Sequence, residues 1–173
     1  MKRLALMALA ILLCLGMVSC SPAGEQDKPD EEKRKPNECH LNETVAFENG
    51  VEFAVTSIKE TEWLGSEFSD YYAGDGNRFI IATVKVANNS KGTYSAYSDE
   101  IWIDWNGTKI EQDDNVFSID DGFYIVSQNA TLTDSYRTIF RIAESVETSD
   151  LALVIDNGSW LDNERVKIWL TEK

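Results

Sequence analysis

The sequence predicts an all-β fold, an immunoglobulin-like sandwich of two antiparallel sheets, with an up-and-down β-barrel as the alternative architecture. Three observations predict it. Short runs rich in Val, Ile, Phe, Trp and Thr alternate apolar and polar residues at period two; clusters of Asn, Asp, Gly and Ser separate these runs; and no stretch carries an apolar stripe at helical spacing. A chain of 173 residues, 43% of them hydrophobic and five of them Trp, is large enough to bury one substantial core.

The first element precedes the predicted domain. Lys2 and Arg3 give a positive start, and Leu4 to Leu15 form an unbroken apolar stretch. That stretch is shorter than the roughly 20 residues a helix needs to cross a bilayer, so residues 1–19 read as a secretory signal peptide. The run ends at Met17, Val18, Ser19 and Cys20, which resembles the lipobox of bacterial lipoproteins, with Met17 in place of the usual Leu. The resemblance implies that Cys20 carries lipid and becomes the first residue of the mature chain. Each buried CH₂ contributes about 0.8 kcal/mol, so one acyl chain holds a protein marginally and two or more hold it stably. The implied location is extracytoplasmic, lipid-anchored to the bacterial cell membrane or envelope. An ordinary signal peptide with an incidental Cys20 is the competing reading.

Residues 20–42 read as the lipidated cysteine followed by a flexible linker. Ser21 to Asn37 holds all three prolines, many charges and no residue able to anchor a core. As a flexible coil it would reach roughly 20 to 25 Å. The sandwich domain is expected over residues 43–173.

Within that domain Val51 to Ile58 follows an Asn49-Gly50 turn, and Arg78 to Asn88 places Ile80, Ala82, Val84 and Val86 on one face. Ile101, Ile103 and Trp105 alternate before Asn106-Gly107, a strong hairpin signal, with Thr108 to Glu111 as the returning arm. Tyr136 to Ile142 sets Tyr136, Thr138, Phe140 and Ile142 against Arg137, Ile139 and Arg141. Leu151 to Ile155 reads as a buried strand, and Arg165 to Leu170 puts Val166, Ile168 and Leu170 inside. The pattern therefore holds about seven short strands.

Several of these stretches are similar to an immunoglobulin-like domain of unknown function found in lipoproteins of Gram-positive bacteria, the domain of unknown function 4352 family. They are VEFAVTSIKE, NRFIIATVKVANNSKGTYS, IWIDWNGTKIEQDD and ATLTDSYRTIFRIAES, which together cover most of Val51 to Ile155. The resemblance implies a cell-surface sandwich and carries no catalytic residues across. The sequence departs from the family pattern in the Trp-rich stretch after Ile58 and in the acidic segment from Glu111 to Asp121.

Those two departures are also the candidate sites. Glu60 to Asn77 is longer than a sandwich connection needs and holds Trp63, Phe68, Tyr71 and Tyr72. Such rings offer contact area at low entropic cost to a sugar or peptide, or they fold back to cap one end of the sandwich. Glu111 to Gln128 holds Asp113, Asp114, Asp120 and Asp121, oxygen ligands of the kind calcium gathers, but their spacing matches no strict calcium motif and a solvated acidic turn is the preferred account of them. No cofactor is expected beyond the lipid on Cys20. Cys39 and His40, the only His, are adjacent: two ligands at most for a zinc site that needs four, and on an extended segment they point to opposite sides.

The charge narrows the partners. With 30 acidic against 16 basic residues and a net charge of -14, the chain repels nucleic acid. No nucleophile motif is present and no second His exists to serve as a base, so an enzyme is not expected. The expectation is a cell-envelope-anchored extracytoplasmic lipoprotein whose sandwich is a binding or protein-interaction module, meeting another envelope protein or a glycan. The alternatives are a carboxylate-dependent hydrolase of cell-wall or extracellular polysaccharide, which needs two facing carboxyl groups, and a structural subunit of an envelope complex.

Overall fold

The computed structural model describes residues 37–65, 70–119, 121–158 and 164–173. The signal peptide, Cys20, residues 21–36 of the expected linker, Phe68 and Asp120 lie outside the described residues. In chain order the strands are β1 (Asn37–His40), β2 (Val45–Ala46), β3 (Val51–Thr61), β4 (Trp63–Gly65), β5 (Asp70–Tyr72), β6 (Asn77–Asn88), β7 (Tyr94–Tyr97), β8 (Ile101–Trp105), β9 (Thr108–Glu111), β10 (Ile125–Gln128), β11 (Thr133–Ala143), β12 (Leu151–Asp156) and β13 (Arg165–Trp169).

Two principal sheets face each other, in the orders β11-β6-β3-β2 and β1-β13-β12-β8-β9. The fold is thus a β-sandwich, as the alternation predicts, and no barrel closes among the described residues. In the first sheet Ile80, Ala82, Val84 and Val86 of β6 are fully buried on one face, with Phe53 and Val55 of β3 and Phe140 and Ile142 of β11 beside them. The second sheet answers with Ile101, Ile103, Leu151, Leu153, Ile155, Val166 and Ile168. Each such side chain contributes about 1.5–3 kcal/mol on burial, which is what joins the sheets in the absence of a disulfide among the described residues.

The two Asn-Gly pairs do as their chemistry dictates. Asn106 and Gly107 both take positive φ, 50° and 84°, joining β8 to β9 with Trp105 opposite Thr108, and the Asp104 carboxylate accepts from the Gly107 N–H at 2.8 Å. Gly50 at φ 92° turns β2 into β3, and the Asn49 side chain accepts from the Val51 N–H at 3.0 Å. Past Val55 a bulge at Thr56 shifts the pairing of β3 with β6, and Ile58 beyond it still packs against the core that Phe53 and Val55 enter.

The domain begins earlier than the expected Glu43. Asn37–His40 forms β1 and runs parallel to β13 with Cys39 opposite Ile168, its side chain buried in the core. The last residues assigned to the linker therefore close one edge of the second sheet. The opposite problem, the free edge of the 11-residue β11, is met by the acidic segment: the Asp113 N–H donates to Ile139 O at 2.8 Å, the Arg137 N–H to Asp121 O at 2.8 Å and the Phe123 N–H to Arg137 O at 2.7 Å.

Candidate functional site

The stretch expected as a loop from Glu60 to Asn77 contains a short hairpin. β4 pairs antiparallel with β5, placing Trp63 opposite Tyr72, Leu64 opposite Tyr71 and Gly65 opposite Asp70. Alternation then divides the aromatic residues between two faces. Leu64 is buried in a second, smaller core with Ala73, Phe79 and Ile139, and Tyr71 packs against it. Trp63 and Tyr72 face away, 54% and 42% exposed, their rings stacked at 4.7 Å between centroids and 28° between planes. The aromatic stretch is thus divided between two faces, Tyr71 packing inward and Trp63 and Tyr72 lying toward solvent, while Phe68 lies outside the described residues.

Carboxylates surround the stacked pair. The Tyr72 hydroxyl donates to Asp75 Oδ1 at 3.1 Å, and this bond, with the nearby charges of Glu62 and Glu144, holds the phenol above its ordinary pKa. Glu144 is brought there because its N–H donates to Gly76 O at 2.9 Å, tying the end of β11 to the turn after β5. Glu60, Thr61, Glu62, Arg78 and Glu144 line a shallow cleft of about 300 Å³. Arg78 is committed within it: Nε sits 2.9 Å from Glu60, Nη1 donates to Ala143 O and Glu144 O, and Nη2 donates to Val146 O at 2.7 Å.

Two carboxylates of the acidic segment pair with arginines. Asp113 pairs with Arg141 at 3.0 Å and also accepts from the Asn115 N–H to cap a 3₁₀ turn over Asp114–Ser118; Asp121 pairs with Arg137 at 2.6 Å. Among the described residues no group of three or more His, Cys, Asp or Glu is placed to hold a metal ion. Cys39 and His40 diverge: the thiol donates to Glu43 O at 3.7 Å, whereas the imidazole lies 3.3 Å from Thr171 O. Burial, with Glu43 adding its charge, raises the Cys39 thiol to about 11.

The structure also shows a surface that the sequence pattern did not single out. β7 and β10 form a separate two-stranded pair in which Ile125 stands opposite Tyr97, 61% and 53% exposed, while their neighbours Ala96 and Val126 enter the core. Next to it Phe117, 61% exposed, packs on Tyr124 at 5.2 Å. A search for outward-facing apolar residues in Tyr124 to Gln128 would have found Ile125 once Val126 was assigned inward.

No family model matches the chain, and no curated protein does. Among solved structures it is similar to the yjhA protein from Bacillus subtilis, at 12% identity over 76% of this chain and 98% of that one, with a TM-score of 0.60. It is also similar to ycdA from Bacillus subtilis, provisionally classed as a lipoprotein, at 16% identity over 68% of this chain and with a TM-score of 0.50. The chain spans only 35% of the length of ycdA. An uncharacterised β-sandwich protein from Clostridium difficile matches at 18% identity over 82% of this chain and 98% of that one, with a TM-score of 0.47. At these identities the first two likenesses show the fold, a β-sandwich of a kind found in proteins of Bacillus subtilis.

Proposed function

We propose that this protein is an extracytoplasmic lipoprotein, anchored through Cys20, whose sandwich binds a ligand at the exposed Trp63–Tyr72 pair. The observation that carries the binding reading is the exposed stack itself. Trp and Tyr are large rings that a fold normally buries, and here the hairpin buries Leu64 while leaving Trp63 in solvent. The leader ending at Cys20 supports the location, as does the likeness in fold to a protein provisionally classed as a lipoprotein. The same fold, with the strand motifs quoted above, supports membership of the domain of unknown function 4352 family. Capture from envelope extracts and binding on a glycan array, each with the wild type and with Trp63→Ala/Tyr72→Ala, test the site: the variant should lose what the wild type holds. Labelling with palmitate tests the anchor. The wild type should take up label and Cys20→Ala should not; an unlabelled wild type overturns the location.

A second reading is an assembly role through the apolar surface around Ile125. The observation favouring it is the contiguity of Ile125 with Tyr97 and of Phe117 with Tyr124 on exposed strand and turn positions. Chemical cross-linking in membranes should then report a contact that Ile125→Asp removes.

A further inference from the structure

The surroundings of the Trp63–Tyr72 pair point to the chemistry of its ligand. An aromatic ring is electron-rich on its face and attracts a cation placed over it. This protein already uses that pairing on its own surface. Lys109 Nζ lies 4.8 Å from the centroid of Trp102 with Arg165 over the same indole at 5.5 Å, and Lys167 Nζ lies 4.4 Å from Trp169. Trp63 differs. Its partner is the Tyr72 ring, and among the described residues no basic side chain is seated over either of them.

The charges beside the pair are carboxylates: Asp75 on the Tyr72 hydroxyl, with Glu62 and Glu144 close enough to act on the same phenol. The basic side chain lining the adjoining cleft, Arg78, is consumed by Glu60 and by the carbonyls of Ala143, Glu144 and Val146. It leaves Glu62, Asp75 and Glu144 without a compensating charge from its guanidinium. An anionic ligand would meet repulsion here, whereas an ammonium group finds both an open aromatic face and a negative rim. The cleft is shallow rather than enclosing, which suits a side chain presented by a larger partner that brings its own neighbouring contacts.

We propose that the Trp63–Tyr72 pair receives the lysine side chains of a basic peptide segment on a partner protein, the ammonium group lying over the exposed rings beside Glu62, Asp75 and Glu144. This rests on the reading of the pair as a binding site and adds the class of its ligand.

The test uses the full chain in detergent micelles and a fluorescein-labelled oligolysine peptide followed by anisotropy. Its Nε-acetylated counterpart serves as the uncharged probe. The oligolysine should bind in a salt-sensitive manner, and the acetylated peptide should bind at least about tenfold more weakly. Trp63→Ala should weaken the oligolysine roughly fivefold, the size of an exposed cation–π contact. Glu62→Gln/Glu144→Gln should weaken it about as much, and Glu111→Gln/Glu172→Gln, which removes the same charge elsewhere, should change it less than about twofold. Unchanged affinity in Trp63→Ala, or equal losses in the two charge-removing pairs, would mean diffuse attraction to an acidic surface and overturns the proposal. Should oligolysine fail to bind while Trp63→Ala/Tyr72→Ala still abolishes capture from the envelope or the glycan array, the ligand class falls and the site stands. Should that variant change neither, both fall.

Discussion

Asn88 Nδ2 donates to the backbone carbonyl of Gln128 at 2.7 Å, and the Gln128 side chain donates in return to Val86 O at 3.1 Å. Both side chains are buried. This reciprocal pair fastens β10, and with it β7, to the end of β6. Asn88 also donates to Gly92 O at 2.9 Å and accepts from the Ser90 N–H and hydroxyl, so one amide closes strand, turn and neighbouring sheet together. A buried polar group that loses its partner costs about 1–3 kcal/mol, and Asn88→Ala removes several at once. It should lower stability by about 2–4 kcal/mol, read as a fall in the urea midpoint at unchanged slope. Asn88→Asp should lose at least as much at neutral pH, because a carboxylate brings acceptors to carbonyls that need donors.

Gly122 makes a second sharp case. A Cβ added there would lie 2.4 Å from the Val116 carbonyl oxygen, a backbone atom held in place by the 3₁₀ turn and by the bonds of the acidic segment to the edge of β11. Gly122→Ala should therefore destabilise by about 1–3 kcal/mol through forced displacement of that segment. Gly92→Ala is the matched control. Its Cβ would meet nothing within 4 Å, and the change should stay within about 0.5 kcal/mol.

These two residues also mark where sequence reading ends. Alternation is sufficient for β6, where Ile80, Ala82, Val84 and Val86 repeat at period two, for β11, where Tyr136, Phe140 and Ile142 keep that phase, and for β13, where Val166, Ile168 and Leu170 do so, and Asn106-Gly107 sets the register of its hairpin. Asn88 was visible only as the end of a strand motif, since its partner on β10 is 40 residues away. β1 was hidden because NECH offers a single apolar residue, and its burial depends on a parallel pairing with the far end of the chain. β4 and β5 have three residues each, too few to show a period, so the hairpin read as a loop. The aromatic residues of the hairpin were legible by type. Which of them would face solvent was not, because that depends on Leu64 and Tyr71 finding Phe79 and Ile139. Likewise the ion pairs of Asp113 with Arg141 and of Asp121 with Arg137 are not legible in the acidic segment, because both arginines lie on another strand.

The Cys39 thiol should behave as a buried group with a pH signature. Burial raises it to about 11 from an ordinary value of 9.0, so the folded state favours the protonated form. Between those values the unfolded chain binds fewer protons than the native one, and stability falls as pH rises. The contribution is complete below about pH 9 and is lost as pH climbs through about 11. Comparing the wild type with Cys39→Ala removes the parallel titration of tyrosines: the variant should show the shallower decline above pH 9. Alkylation by iodoacetamide at pH 8 should be slow in buffer and fast in urea, since the reactive thiolate is scarce while the fold persists.

The division of the hairpin into two faces makes the last prediction. Leu64 is buried against Phe79 and Ile139, so Leu64→Ala leaves a void and should cost about 2–4 kcal/mol. Trp63 touches mainly its cross-strand partner Tyr72 in solvent, so Trp63→Ala should cost no more than about 1 kcal/mol despite removing the larger side chain. Urea titrations of the two single variants decide the matter. An equal or larger loss for Trp63→Ala would mean that the indole is part of the core after all, and the exposed pair would then have no standing as a binding surface. A small loss leaves Trp63 as a ring kept in water at a position where folding gains little from it, which is the condition a ligand-contacting residue has to meet.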